Sequence, residues 1–217
     1  MKSFKWKWQD TLVVILGVLT LGYGLINYGK LPDQLPSHFG ISGEVDSYWS
    51  KNSVFILAAV MGLLFPIGMQ FIRKIDPKRE NYERFEHAYK MIRLFIAVVF
   101  DAFFVISVSY GLDDQFQAGK WALVLVGLMI LLLGNYLPQV KDNYFIGIRT
   151  PWTLNNPDVW RRTHRFSGLV WTAGGLLILI GVFLPKPAMV TMLVASLALI
   201  TILPLFYSWM ISERKKA

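Results

Sequence analysis

Long apolar runs alternate with short, charge-rich intervals along this chain. Six stretches, 11–29, 53–72, 90–112, 121–138, 169–184 and 188–210, are almost free of charge. Each approaches the roughly 20 residues that an α-helix needs to cross the hydrocarbon core of a bilayer. The fifth is the shortest, and residues 165–167 extend it toward the headgroup region. Pro66 and Pro204 lie inside two of the runs and are expected to kink them, as packed membrane helices tolerate. The pattern predicts an all-α fold: a polytopic integral membrane protein of about six transmembrane helices. The first run follows the basic segment MKSFKWKWQD. It exceeds the apolar core of a cleaved signal peptide, about 7–15 residues, and no small-x-small cleavage site follows it, so it is read as a retained anchor.

The intervals set the orientation. Of the 22 Lys and Arg, only Lys30, Lys51, Lys120 and Lys186 fall in the intervals of one side. The rest cluster on the other, including Lys2, Lys5, Arg73, Lys78, Arg84, Arg93, Lys141, Arg149, Arg161, Arg214, Lys215 and Lys216. The positive-inside rule then places both termini and the basic loops in the cytoplasm (N-in/C-in). Composition agrees: 54% of residues are apolar while charged residues, at 17%, are segregated into clusters. The net charge of +8 is accounted for by juxtamembrane loops that attract anionic membrane lipids. No nucleic-acid-binding motif is present, so direct nucleic-acid contact is not expected. The absence of cysteine excludes disulfides, thiolate metal sites and cysteine catalysis.

Two loops exceed the length of a simple connection. The outer loop, 31–52, carries Leu35, Phe39, Ile41, Tyr48 and Trp49 among Pro32, Pro36, Gly40 and Gly43. It is expected to fold as a small cap, with a short hairpin between His38 and Trp49. The inner loop, 139–168, contains Gly147, which permits a tight backbone approach, and Thr150 ahead of Pro151, which is steered to extended geometry. Asn156-Pro157-Asp158 reads as a helix start. That helix sets Trp160 and His164 on one face, with Arg161 and Arg165 beside them. Two placements suit it: lying at the headgroups with its aromatic side toward lipid, or forming the lower turn of the fifth span. The segment after Asp76-Pro77 is expected to be a charged helix bearing Glu83 and His87, without a third metal ligand.

One acid lies deep in a span. Asp101 sits about 16 Å along the helix from Lys90, near the bilayer midplane. Ionised, it costs about 2.5–3.5 kcal/mol there, so it must face the bundle interior, be protonated or find polar partners. Asn135 is a candidate partner by type. Asp101 is either a proton or ligand site or an interhelical hydrogen bond that fixes packing. No nucleophile elbow, metalloprotease pattern, phosphate-binding loop or dinucleotide fingerprint occurs, and His38, His87 and His164 belong to three different loops. No enzyme activity, metal or cofactor is expected.

The loops resemble a known family. In the outer loop Pro36, His38, Phe39, Gly43, Asp46, Tyr48 and Lys51 match the signature of a small bacterial membrane domain of unknown function. In the inner loop Asn143, Gly147, Ile148, Arg149, Thr150, Pro151, Trp152, Thr153, Leu154, Trp160, His164, Arg165 and Gly168 resemble the hallmark of the SdpI family of toxin-immunity membrane proteins. On that basis residues 1–89 are read as an N-terminal membrane domain and residues 90–217 as an SdpI-like C-terminal one. The resemblance implies a protein of the bacterial plasma membrane that protects its cell from a secreted, membrane-active toxin peptide sensed on the outer face. It also implies a transcriptional repressor held at the cytoplasmic face. The alternative is a small transporter or membrane enzyme using Asp101 and the GIRTPW loop.

Overall fold

The computed structural model describes residues 6–214, so Lys2, Lys5, Lys215 and Lys216, counted above for orientation, lie outside the described residues. The long helices form where the apolar runs predict them. Helix α1 (Trp8–Asn27) opens with the Asp10 carboxylate accepting the Lys7 amide at 2.9 Å, which satisfies one of the donors a helix start leaves unpaired. A hairpin of β1 (Gln34–Phe39) and β2 (Val45–Ser50) follows. Ser50 caps α2 (Lys51–Ala58), and a π-helical segment, Ala59–Leu64, leads into α3 (Phe65–Ile75). Beyond a 3-10 helix at Arg79–Phe85 come α4 (Glu86–Leu112) and α5 (Ala118–Tyr136). The one-turn α6 (Pro151–Asn155), α7 (Pro157–Gly181) and α8 (Lys186–Glu213) complete the chain.

The chain is thus an all-α, multi-pass membrane protein with one small hairpin. Among the described residues, five helical stretches are long and apolar enough to cross a membrane: Trp8–Lys30, Lys51–Ile75, Arg79–Leu112, Ala118–Gln139 and Lys186–Glu213. Helix α7 has the length, 25 residues, but its first turns, PDVWRRTHR, dilute its apolar run. Large apolar side chains stand exposed along the helices, among them Ile26 (83%) and Phe183 (79%). A surface of that kind suits lipid and would aggregate in water.

The two prolines act differently. Pro66 has no N–H for the carbonyl four residues back, at Gly62, and its ring crowds that carbonyl, so the helix ahead of it widens into the π segment. Around Pro204, in contrast, α8 continues as one helix. The segment after Pro77 also differs from the regular helix expected. It is a 3-10 helix through Phe85, and the α-helix begins only at Glu86, whose carboxylate pairs with Lys90 at 2.5 Å.

Two compact units divide the contacts. The first is Met1–Gln70 with Arg93–Val126; the second is Phe71–Ile92 with Gly127–Ala217. In the first, the hairpin pairs Gln34 with Ser50, Leu35 with Trp49 and Pro36 with Tyr48 before the register shifts. The shift follows the proline, which cannot donate to the ladder. Leu35, fully buried, anchors the hairpin in a core with Leu31, Val54, Ala58, Phe104 and Val108. At the hairpin turn Gly43 has φ +77°, and a Cβ on Gly119 would lie 1.6 Å from the Gly43 carbonyl oxygen, so both positions require glycine. In the second unit small residues let helices close: a Cβ at Gly175 would lie 2.6 Å from the Leu131 amide nitrogen. The Trp171 indole donates to the Ile200 carbonyl at 3.1 Å, tying α7 to α8.

Candidate functional site

In the second unit the inner loop is organised by one amide. Asn143 is fully buried. Its Nδ2 donates to the carbonyls of Lys141 (2.8 Å) and Ile146 (2.9 Å), and its Oδ1 accepts the amides of Phe145 (2.9 Å) and Ile146 (2.7 Å). The Tyr82 hydroxyl donates to the same oxygen at 3.3 Å. Tyr82 also donates to Asp76, whose other contacts are the amides of Lys78 and Tyr144. A turn with this many unsatisfied backbone groups is stable when buried only because a side chain completes the set.

The next residues are pinned by a histidine. The Ile148 amide donates to His164 Nε2 at 3.0 Å, so the ring proton resides on Nδ1 and is donated to the Trp160 carbonyl at 2.9 Å. Burial pushes the imidazole down to about 4, and it stays neutral. The Trp160 ring stacks on it at 4.1 Å, and its indole N–H donates to the Val140 carbonyl at 2.9 Å. Gly147, at φ +115°, makes room: a Cβ there would lie 2.3 Å from His164 Nε2. Thr150 and Thr153 then cap α6 reciprocally, with Pro151 in its first turn, and Thr153 Oγ1 also donates to the Ile148 carbonyl at 2.8 Å.

These contacts correct one expectation. The Trp160 and His164 face does not turn toward lipid; both residues are buried against 140–148 of their own loop. The segment is the unbroken start of α7, capped by Asn156 as predicted, with Oδ1 accepting the amides of Asp158 and Val159. Arg165 is exposed, and so is Arg149, whose Nη1 donates to the Tyr144 carbonyl at 2.5 Å. Trp152 is half-buried. Sequence reasoning missed Asp76, Lys78 and Asn81. Lys78 Nζ pairs with Asp142 at 2.9 Å and donates to the Leu154 carbonyl, while the Asn81 amide donates to Asp142. The Asp76-Pro77 dipeptide pointed to a helix start and gave no sign of a partner some 65 residues away.

In the first unit the outer-loop motif builds the hairpin. His38 Nδ1 lies 2.6 Å from Asp46 Oδ1 across the strands, and both side chains are exposed. Phe39 packs edge-on to Phe103, the Pro36 carbonyl accepts Ser107 Oγ at 2.7 Å, and the Tyr48 hydroxyl reaches that of Tyr110 at 3.5 Å. Lys51 sits over the Tyr28 ring and 3.4 Å from Asp33.

Asp101 is buried in this unit, and Thr20 of α1 donates to its Oδ1 at 3.1 Å. Its Oδ2 has no hydrogen-bond partner among the described residues. A Cβ at Gly62, in the π segment, would lie 2.3 Å from Oδ1, so the backbone there closes directly on the carboxyl. The partner is therefore Thr20, and Asn135, the expected candidate, is exposed on α5. Arg93 likewise departs from its reading as a loop charge. It is buried and pairs with Asp10 at 2.8 Å, donates to the Pro66 carbonyl at 2.5 Å, and shares Asp10 with the Gln70 amide. An acid just ahead of the first apolar run and an arginine just inside the third were the only sequence signals. Among the described residues no cluster of three or more His, Asp or Glu is arranged to hold a metal ion.

Lipid-length helices, an apolar exterior and buried polar loop motifs define a multi-pass membrane protein. Residues 139–208 match the SdpI/YfhL protein family, and residues 15–62 match a domain of unknown function, DUF1648. The family resemblance of the inner loop is thereby borne out. Immunity protein SdpI of Bacillus subtilis (strain 168) is 24% identical over 170 residues, covering 78% of this chain and 79% of that protein. An uncharacterized protein of Archaeoglobus fulgidus is 42% identical over 41 residues, 19% of this chain and 22% of that protein. No solved structure gives a significant match.

Proposed function

We propose that this chain is an SdpI-like immunity and signal-transducing protein of a bacterial plasma membrane. In this reading it protects its cell against a secreted, membrane-active toxin peptide met at the outer hairpin. Its cytoplasmic loops hold a transcriptional repressor at the membrane. The observation that carries the reading is the similarity to Immunity protein SdpI, which extends over 79% of that protein. The two family matches, at residues 15–62 and 139–208, support reading the chain as an N-terminal domain and an SdpI-like C-terminal one. The skew of Lys and Arg supports six spans with both termini inside, α7 supplying the fifth. Reporter fusions within 31–51 and 113–120 then read outside, and fusions after Arg79 and Asn155 read inside.

The inner loop supports a recognition role for what it leaves exposed. Asn143, Gly147, Trp160 and His164 hold the backbone, while Arg149 is aimed outward by a stiff turn between Gly147 and Pro151. Its guanidinium can grip a carboxylate or phosphate with two parallel hydrogen bonds, which lysine cannot reproduce. Survival of a toxin-sensitive host under challenge tests this. The wild-type chain protects, and Arg149→Lys loses protection at normal membrane abundance. A host equally sensitive with and without the chain overturns the immunity reading.

A second reading, a small transporter or membrane enzyme, draws support from Asp101. A buried carboxyl with one unpartnered oxygen beside a π segment is the kind of local irregularity found at functional sites.

A further inference from the structure

We propose that a cleft in the second unit binds a phosphoryl group, carried either by an anionic lipid headgroup or by a small phosphorylated molecule. The cleft has a volume of about 330 Å³. The 3-10 helix Arg79–Phe85 contributes Arg84, the stretch after α5 contributes Pro138, Val140, Lys141 and Asp142, and the first turn and a half of α7 contributes Pro157, Asp158, Trp160 and Arg161.

Its charges do not cancel. Asp142 is neutralised by Lys78, outside the lining, at 2.9 Å, and Asp158 by Arg161 at 2.5 Å. Arg84 and Lys141 have no carboxylate within ion-pair distance among the described residues, so two cations converge on the cleft without a counter-ion. The positive end of the α7 dipole adds a field of the same sign at Pro157. A planar guanidinium beside a flexible ammonium suits the tetrahedral oxygens of a phosphoryl group. The floor is apolar and fixed: Trp160 is locked by its hydrogen bond to the Val140 carbonyl, and Pro138 and Pro157 flank it. A cationic rim over a rigid apolar floor suits a phosphate attached to a glycerol-like carbon stem. This site is separate from Arg149, and it stands whether or not the chain confers immunity.

The test is lipid retention by the full chain, purified in detergent and measured by native mass spectrometry with phosphatidylglycerol and phosphatidylcholine. Wild type retains phosphatidylglycerol selectively. Exchanging both free cations (Arg84→Gln with Lys141→Gln) weakens that retention by about tenfold or more, as loss of charge-assisted hydrogen bonds requires. Arg162→Gln with Arg165→Gln removes the same charge from exposed positions of α7 outside the cleft and leaves retention unchanged. Arg84, Arg162 and Arg165 are exposed and Lys141 is half-buried, and size-exclusion profiles check that each variant folds. Inorganic phosphate and glycerol 3-phosphate form a second arm. If they displace phosphatidylglycerol from wild type, the site accepts free phosphoryl compounds; if they do not, the lipid headgroup is the ligand. The proposal is overturned if the Arg84/Lys141 variant retains phosphatidylglycerol like wild type, if the Arg162/Arg165 variant loses it equally, or if wild type binds neither class of probe.

Discussion

Asn143 and Asp101 are both buried polar side chains, one in each unit, yet their surroundings differ in kind. Asn143 uses both amide protons and its carbonyl oxygen, and every partner is backbone of its own loop or the hydroxyl of Tyr82. Among the described residues Asp101 has a single donor, Thr20, and one oxygen with no partner. A fully satisfied buried network holds a shape, and removing its centre leaves several groups desolvated at once. A partly satisfied group does little for the fold and is better explained by what it does, or by a proton it carries. The family resemblance rests on the inner-loop residues and does not include Asp101; in the structure Asn143 holds its loop through hydrogen bonds, whereas Asp101 organises no comparable network.

The contrast breaks most visibly at Asn143. Replacing it with alanine strands the amides of Phe145 and Ile146 and the carbonyls of Lys141 and Ile146, and is expected to cost about 4 kcal/mol or more. Thermal unfolding of the detergent-solubilised protein measures this, and a Tm within a degree or two of wild type would mean the loop is held by something else.

The next effect depends on pH. His164 is neutral in the folded protein, with its pKa lowered from 6.5 to about 4. Above pH 6.5 both folded and unfolded chains have a neutral ring, and the full stability is present. As pH falls from 6.5 toward 4 the unfolded chain gains a proton that the folded one refuses, and up to about 3 kcal/mol is lost. His164→Gln, whose amide can accept from Ile148 and donate to Trp160, should flatten that slope. An unchanged slope would assign the acid sensitivity to another group.

Gly147→Ala comes third. It places a methyl 2.3 Å from His164 Nε2 in a backbone region that L-residues avoid, and should cost about 2 kcal/mol. Its pH dependence should also weaken, because the same imidazole is displaced.

Asp101→Asn has the smallest expected effect on stability, about 0.6 kcal/mol in either direction, the typical size of an interhelical hydrogen bond in a membrane. Its worth is in the activity measured beside it. A stable Asp101→Asn protein that still protects its host makes Asp101 a packing group. A stable one that has lost protection turns the second reading into the leading one, and Asp101→Leu then separates loss of the charge from loss of the hydrogen bond.

The 3-10 helix at Arg79–Phe85 was not legible in the sequence, whereas the long membrane helices, the hairpin, the Asn156 cap, the extended Thr150 and the special backbone of Gly147 were. Each depends on residues within a few positions of one another: apolar runs, a proline, a capping side chain, the lack of a Cβ. What lay beyond the sequence was partnership across long separations. Helical periodicity groups Trp160 with His164 but is silent on whether that face meets lipid or protein, and the tertiary fold turned it onto the Val140 and Ile148 backbone. Charge counting treated Arg93 as a topology signal, whereas packing brings it to Asp10, 83 positions away, because a buried cation must find a buried anion. Polarity alone nominated Asn135 for Asp101, and the fold supplied Thr20, 81 positions away on α1, with Gly62 admitting the π segment to the same spot. Local chemistry is written in short windows; which side chains meet is decided by how the apolar surfaces pack, and that is a property of the whole chain.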